Sequence, residues 1–322
     1  MAHACEPPGV RIDFRSLYKS NKNMPADSTA QTTLAGKVAI VTGAGKGLGR
    51  AYALDLARRG AQVVVNNRRH SGEAVHSADT VVHDIVAQGG SAVADYSDAA
   101  DPRCGEDLLA TALEHYGRLD IVIANAGVSE ASSFHKQRLD DFRRIIDINL
   151  LGTACLLHPT FRHLYGQGSG AIVVSSSAAG LHGEHGLPAY SASKAAVIGL
   201  CRALALEGAP HGVRVNTIAP FANTAMTRSS LPPALAGQLP AEAVAPVVAW
   251  LASDSCTLNG EVLVAGGGRL ARARTLVSAA VDSGDSPQAL EAAWATLTAT
   301  PPAQDFDSAV ALFLDFAGGL AQ

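Results

Sequence analysis

The chain has 322 residues, of which 48% are hydrophobic and 17% charged, and its formal net charge is −4. Such a chain suits one large α/β domain with a buried core. The lack of a basic block argues against nucleic acid, and we expect neither a membrane-spanning segment nor secretion. The five cysteines are dispersed without metal-ligand spacing, which indicates reduced thiols in a cytoplasmic protein and no metal site.

Strand and helix patterns alternate along most of the chain. Residues 1–33 lack periodicity and predict a flexible amino-terminal extension. Over 34–270 the predicted strands are 37–42, 62–66, 91–94, 119–124, 170–175, 213–218 and 261–264. The predicted helices are 48–59, 72–88, 104–116, 139–165, 189–208 and 241–252. This alternation predicts a doubly wound, parallel, seven-stranded sheet with helices on both faces, which binds ligand at the carboxyl ends of the strands.

The remaining segment, 271–322, predicts a helical extension. Ser286-Pro287 is typical of a helix start and opens a helix over 287–297. A second helix over 306–316 places three apolar residues on one face: Val310, Phe313 and Phe316. These helices either pack on the core or a second subunit, or close over the ligand site. We favour packing, because periodicity alone does not specify a partner.

A glycine-rich run, Thr42-Gly-Ala-Gly-Lys-Gly-Leu-Gly49, joins the first predicted strand to the first helix. Strand, glycine turn and helix in this order form the context in which such a run binds a dinucleotide. Glycines allow backbone N–H groups to approach a diphosphate, and the helix amino terminus offers further donors. An ordinary β–α turn is the alternative. Nucleotide binding is favoured because the run stands at the start of the alternating pattern.

Tyr190 and Lys194 lie four residues apart, so they share one face of a helix. A free tyrosine has a pKa of about 10, and a nearby cation lowers that pKa towards the range in which general acid–base catalysis is efficient. Ser177, 13 residues before Tyr190, would hold a carbonyl or alcohol oxygen beside the phenol. Taken alone, the Tyr190 and Lys194 spacing is more often a chance pair on a solvated helix.

Together, over roughly 36–270, these features resemble the short-chain dehydrogenase/reductase family. The matching motifs are Thr42-Gly-x-x-x-Gly-x-Gly49, Asn125-Ala126-Gly127, Asn149, Ser177 and Tyr190-x-x-x-Lys194. The resemblance implies a Rossmann fold and reversible hydride transfer between a nicotinamide and a carbonyl carbon. It further implies that Tyr190 is the acid/base and that Lys194 also binds the nicotinamide ribose. Ser177 would steady the substrate oxygen, and Asn149 would hold a proton-relay water.

The resemblance also implies a cofactor site. Its residues would be Gly43, Lys46, Gly47, Leu48, Gly49, Asn67, Arg68, Asp95, Asn125, Ala126, Gly127, Tyr190, Lys194, Pro220 and Thr224. Asp95 would lie beside adenine. Where a carboxylate would bind the ribose of NAD, this chain has Asn67 followed by Arg68. With Lys46, these cations favour NADP(H), because a 2′-phosphate gains charge-assisted bonds. Solvated surface cations, and hence NAD(H), are the alternative.

Further segments resemble one branch of the family, the (3R)-hydroxyacyl-CoA dehydrogenase unit of peroxisomal multifunctional enzyme type 2 and its bacterial single-domain relatives. They include Asn216-Thr-Ile-Ala-Pro220 and Ala265-Gly-Gly-Gly268. This branch implies an acyl thioester substrate and NAD. Four apolar loop residues suggest an apolar pocket suited to a hydrophobic ketone, steroid, terpenoid or acyl chain: Leu181, Leu187, Phe221 and Met226. The alternative is that they are buried loop anchors. Family resemblance implies a homodimer or homotetramer through helices 139–165 and 189–208.

Three functions follow as hypotheses. The first is an NADP(H)-preferring oxidoreductase acting on a hydrophobic secondary alcohol or ketone. The second is an NAD-dependent 3-hydroxyacyl-CoA dehydrogenase or 3-oxoacyl thioester reductase. The third is a non-catalytic nucleotide-sensing protein, because fold alone does not determine function. The complete set of Ser177, Tyr190 and Lys194 argues against the third.

Overall fold

An eight-stranded sheet forms the centre of the molecule, in a computed structural model that describes residues 33–69, 72–228, 231–299 and 301–318. The strands are β1 Val38–Val41, β2 Gln62–Asn66, β3 Ser91–Asp95, β4 Ile121–Ala124, β5 Gly170–Ser175, β6 Val213–Pro220, β7 Val262–Gly266 and β8 Arg269–Ala273. Their order is β3-β2-β1-β4-β5-β6-β7-β8, and all pairs are parallel except β7 with β8. The predicted doubly wound fold is confirmed. Apart from Thr33, the predicted amino-terminal extension lies outside the described residues.

The eighth strand, β8, is the one strand that the sequence did not predict. Its residues are almost all exposed, so no apolar run marks it. Gly267 and Gly268 join it to β7, with φ of 56° and 72°. Two glycines at positive φ form the type of turn that closes a two-residue hairpin. The predicted domain boundary at residue 270 therefore falls inside this strand.

Helices cover both faces of the sheet. The α-helices of the described residues are α1 Gly47–Arg58, α2 Ser77–Ala87, α3 Cys104–Tyr116, α4 Leu139–Ile146, α5 Gly152–Gln167, α6 Ala178–His182, α7 Pro188–Gly208, α8 Pro233–Ala236, α9 Ala245–Ala252, α10 Pro287–Ala299 and α11 Ala309–Gly318. Alternation along β1 separates two cores: Ala39 and Val41 pack with α1, α2 and α9, whereas Val38 and Ile40 pack with α3, α5 and α7.

The helices of the structure differ from the predicted ones in several places. The predicted helix 72–88 begins only at Ser77, because the residues before it form a turn. The predicted helix 139–165 consists of α4, a π-helical segment Asp147–Leu151, and α5. The short helix α6 was not predicted. The π segment contains Asn149, and α6 begins directly after Ser177, so both coincide with predicted catalytic residues.

Within the part of the chain that the structure describes, one helix, Pro188–His211, is by length and composition long and apolar enough to cross a membrane, whereas the sequence predicted no such segment. A single such helix is weak evidence, because core helices of soluble proteins meet the same criteria. Here Val197, Ile198 and Cys201 are buried, and Val197 and Cys201 belong to the core beneath the sheet.

The predicted carboxyl-terminal helices are present as α10 and α11. The hydroxyls of Ser286 and Ser308 accept hydrogen bonds from Ala289 N at 3.2 Å and Ala311 N at 3.1 Å, as helix caps do. No described residue from 267 to 316 is buried. The predicted apolar face of α11 is exposed, with Phe313 at 66%. Among the described side chains of the two helices, none lines the cavity described below.

Candidate active site

A cavity of about 800 Å³, hereafter the cleft, opens where the strands of the sheet end. Most predicted site residues line it: Gly43, Lys46, Gly47, Leu48, Asn67, Arg68, Asn125, Ala126, Gly127, Ser177, Tyr190, Lys194, Pro220 and Thr224. Gly49, Asp95 and Asn149 are not among its lining residues. The parallel sheet thus brings together motifs that are far apart in the sequence, at the position where doubly wound folds bind ligand.

The glycine turn between β1 and α1 is shaped for close backbone approach. Gly43 and Gly47 have φ of 62° and 56°, a region that favours glycine. A Cβ on Gly49 would lie 2.2 Å from the Gly43 carbonyl oxygen, so any side chain there would push the turn apart. Lys46, the residue before α1, makes no capping hydrogen bond with its side chain. The backbone N–H groups at this helix start suit a diphosphate.

Asn125 ties the glycine turn to the next two strands of the sheet. Its Nδ2 donates to the carbonyl oxygen of Thr42 at 3.1 Å, and its Oδ1 accepts from Ser175 Oγ at 3.1 Å. Thr42 Oγ1 accepts from the backbone N of Asn125 at 3.0 Å and of Ala126 at 3.1 Å. A Cβ on Gly43 would lie 2.9 Å from Ala126 Cα. These contacts hold the floor of the cleft in one arrangement.

Ser177, Tyr190 and Lys194 meet at one wall of the cleft. Ser177 caps α6, where its Oγ accepts from Ala179 N at 3.2 Å, and it is hydrogen-bonded with Tyr190. Lys194 Nζ lies 5.8 Å from the centroid of the Tyr190 ring and donates to the Ser175 carbonyl oxygen at 2.7 Å. Ser177 precedes α6 directly, and Tyr190 lies in the first turn of α7, so the starts of two helices carry the two hydroxyls.

Burial sets the protonation of this wall. Desolvation raises the pKa of Tyr190 above its ordinary value, and the hydrogen bond with Ser177 opposes that shift. Desolvation also lowers the pKa of Lys194 from 10.5 to about 8. We expected Lys194 to lower the pKa of Tyr190. The opposite direction results because burial disfavours both the phenolate and the ammonium.

Asn149 lies behind the wall, fully buried in the π-helical segment. Its Oδ1 accepts from Val128 N at 2.8 Å, and its Nδ2 donates to Val128 O at 2.9 Å and to Ser193 Oγ at 3.1 Å. Ser193 Oγ in turn donates to the Tyr190 carbonyl oxygen at 2.8 Å. The Asn149 side chain therefore positions the backbone around Tyr190. π segments of one turn often occur at functional sites.

Paired charges lie at one end of the cleft, hereafter the charged end, which is lined by Lys46, Asn67 and Arg68. Asn67 Nδ2 donates to Ser77 Oγ at 2.8 Å. Lys46 Nζ lies 2.9 Å from Glu73 Oε1, and Arg68 Nε lies 4.0 Å from Asp98 Oδ2. Each of the two cations expected at this end thus faces a carboxylate.

Asp95, expected beside adenine, has its carboxylate turned to protein groups. Its Oδ1 accepts from Asn66 Nδ2 at 2.9 Å and from Ser97 N at 2.8 Å. Its Oδ2 accepts from Thr111 Oγ1 at 3.3 Å. The side chain thereby holds the turn after β3, whose next residues, Ser97 and Asp98, line the cleft.

Several cleft residues were not found from the sequence. Arg143 and Arg144 of α4 line it, and no local motif distinguishes them from other surface arginines. Of the four predicted apolar residues, Met226 lines the cleft, whereas Leu181, Leu187 and Phe221 are not among its lining residues. Among the described residues, no group of three or more His, Cys, Asp or Glu is placed to hold a metal ion.

Comparison with known proteins agrees with this geometry. Residues 37–233 match the family described as short chain dehydrogenase. The chain therefore belongs to the short-chain dehydrogenase/reductase family, whose members are oxidoreductases that act on CH–OH groups and bind NAD(P). The glycine cradle and the open helix start fit the diphosphate of such a dinucleotide.

Individual relatives have related folds and sequences. A short-chain type dehydrogenase/reductase of Mycobacterium tuberculosis is 39% identical over 268 residues, which are 81% of this chain and 94% of that protein. Peroxisomal multifunctional enzyme type 2 of Mus musculus is 41% identical over 243 residues, 74% of this chain but only 33% of that enzyme. The crystal structure of a short chain dehydrogenase from Mycobacterium avium has a TM-score of 0.75 at 33% identity and covers 86% of this chain and 100% of its own.

Lys194 should make stability depend on pH. Its pKa is about 8 in the folded chain and 10.5 ordinarily, so between these values the unfolded chain binds more protons and stability rises with pH. Lys194→Met should remove that rise, which amounts to about 3 kcal/mol. Urea unfolding at pH 7 and pH 10 of both proteins measures it. Parallel pH profiles for the two proteins would show that Lys194 titrates normally.

Proposed function

We propose that this chain interconverts an apolar secondary alcohol and its ketone, with Tyr190 as the acid/base. The carrying observation is the wall formed by Ser177, Tyr190 and the buried Lys194, in the same cleft as the glycine turn. When bound, NAD(P)H supplies the hydride. The chain's own groups position the substrate oxygen, exclude water and move the proton.

The proton step follows from the burial of Tyr190. Because its pKa is raised, the phenol is protonated at neutral pH and can donate its proton to a carbonyl oxygen. Ser177 Oγ, beside the phenol, donates a hydrogen bond to the same oxygen and localises it. In the reverse direction Tyr190 must first lose its proton, so alcohol oxidation gains with rising pH. These roles support ketone reduction as the favoured direction near neutral pH.

NADP(H) is the cofactor that we propose, with NAD(H) as the alternative. Lys46 and Arg68 line the same cleft as Tyr190, and the residue after β2 is the uncharged Asn67. A 2′-phosphate would gain charge-assisted bonds from these cations. A carboxylate at Asn67 would instead bind the ribose hydroxyls of NAD.

Tyr190→Phe should lower kcat for ketone reduction by about 10²- to 10⁴-fold, the usual contribution of a positioned acid. NADPH binding, followed by fluorescence titration, should change less than about twofold, because the phenol ring remains. Tyr165→Phe is the matched control, since Tyr165 lies outside the cleft and is 39% exposed. Retention of kcat in Tyr190→Phe would refute the role of Tyr190 as the acid/base. It would also favour the alternative of a non-catalytic, nucleotide-sensing protein.

A second candidate substrate is an acyl thioester. The observation in its favour is the pair Arg143 and Arg144 in the cleft lining, which offers guanidinium groups for the phosphates of coenzyme A. Similarity to peroxisomal multifunctional enzyme type 2 points in the same direction. Against it, both arginines already face carboxylates, Asp140 at 3.3 Å and Glu130.

The effect of an arginine substitution on KM distinguishes an acyl thioester substrate from an apolar ketone. Replacing both Arg143 and Arg144 by Ala should raise KM for acetoacetyl-CoA about tenfold if the thioester is the substrate, because charge-assisted bonds to phosphate are lost. KM for an uncharged cyclic ketone should stay unchanged. Equal KM values for acetoacetyl-CoA before and after replacement would leave the apolar ketone as the proposed substrate class.

We also propose that the chain forms a homodimer or homotetramer through the helices predicted at 139–165 and 189–208. These helices expose apolar side chains, with Leu151 at 50% and Leu206 at 55%. Leu206→Glu should therefore shift the mass measured by light scattering to that of a smaller assembly. Leu113→Glu, on the exposed side of α3 at 36%, should not. An unchanged mass in Leu206→Glu would place the interface elsewhere.

A further inference from the structure

The cation nearest the second motif glycine is held by a carboxylate from outside the motif. Lys46 Nζ lies 2.9 Å from Glu73 Oε1. The Glu73 side chain is 16% exposed, whereas that of Lys46 is 69% exposed. The carboxylate is therefore the sheltered partner, and the lysine is the partner with freedom to move.

Glu73 reaches Lys46 because the start of α2 lies against the glycine turn. Asn67 is linked to Ser77 at the start of α2, which brings the loop before α2 against the glycine turn. A Cβ on Gly45 would lie 2.5 Å from Ser77 Oγ and 2.8 Å from Asn67. The glycine turn, Asn67 and Glu73 thus form one contact region at the charged end of the cleft.

We infer that Glu73 is a specificity-determining residue, which restrains Lys46 and so limits the preference for NADP(H) over NAD(H). The inference rests on the proposed binding of NAD(P)H in this cleft. A 2′-phosphate that approaches Lys46 must share the ammonium with Glu73 and also meets the repulsion of that carboxylate. A ribose hydroxyl carries no charge, so Glu73 does not oppose NAD(H) in this way.

A second cation at the charged end of the cleft, Arg68, also faces a carboxylate. Arg68 Nε lies 4.0 Å from Asp98 Oδ2, and both side chains are about half exposed, 50% and 49%. This longer and more solvated pair is a weaker restraint than Lys46 with Glu73, because exposed and distant charges are screened. Glu73 is therefore the residue through which selectivity should be adjusted.

The test is a double-mutant cycle on cofactor binding. Dissociation constants of NADPH and NADH are measured by fluorescence titration for the wild type, Glu73→Gln, Lys46→Met and the double variant. Glu73→Gln should tighten NADPH binding by about threefold to fivefold, the effect expected for an exposed ion pair, and should change NADH binding less than twofold. In the Lys46→Met background, Glu73→Gln should have no effect on NADPH.

Glu114→Gln is the matched control, because Glu114 is an exposed acid of α3 outside the cleft. It should leave both dissociation constants unchanged, and thermal unfolding of each variant checks that the fold is intact. If Glu73→Gln leaves the ratio of the two constants unchanged, or shifts it equally without Lys46, the inference is wrong.

The outcomes also separate this inference from the proposed cofactor preference. A wild type that binds NADH more tightly than NADPH would contradict the preference alone, provided that Glu73→Gln still tightens NADPH through Lys46. A wild type that prefers NADPH, with no response to Glu73→Gln, would overturn the role of Glu73 and leave the preference standing.

Discussion

The active-site wall depends on Ser175, the last residue of β5, which makes hydrogen bonds in two directions. Its carbonyl oxygen accepts from Lys194 Nζ at 2.7 Å, and its hydroxyl donates to Asn125 Oδ1 at 3.1 Å. A buried ammonium is costly unless such a bond fixes it. One residue therefore anchors the buried side chain of Lys194, and through Asn125 it also anchors the floor beneath the glycine turn.

The same hydrogen bonds join the wall that carries Tyr190 and Lys194 to the glycine turn. Thr42, Asn125 and Ser175 join the carboxyl ends of three adjacent strands, β1, β4 and β5. Lys194, on α7, donates a hydrogen bond to Ser175 and so is linked to the same three strand ends. Burial that keeps Tyr190 protonated and lowers the pKa of Lys194 also removes competing water, so each remaining hydrogen bond acts in a low dielectric. A phenol that stays protonated at rest is consistent with the proposed role of Tyr190 as a proton donor.

Much of the fold could be predicted because local patterns of apolar residues determine most of its strands and helices. The buried strands are apolar runs, and the glycine turn and the Tyr190 helix carry recognisable spacing. The strand β8 and the π segment around Asn149 could not be predicted in this way. The residues of β8 are exposed and packed on one neighbour only, and a π segment differs from an α-helix by hydrogen-bond register, which composition does not encode. The Gly267-Gly268 pair was the one available signal for the hairpin.

The charged end of the cleft shows why the electrostatic potential of a site is harder to predict from sequence than the fold is. A sequence reveals that Lys46 and Arg68 are cations, but the potential that a phosphate meets depends on what faces them. Glu73 and Asp98 are 27 and 30 residues away in the chain and reach those cations only through the loop after β2 and the turn after β3. Interactions between charges fall off with distance and exposure. A cation within a cofactor motif therefore indicates affinity for phosphate only once its carboxylate partner is known, and in this chain the better-sheltered partner of the closest pair is the acid.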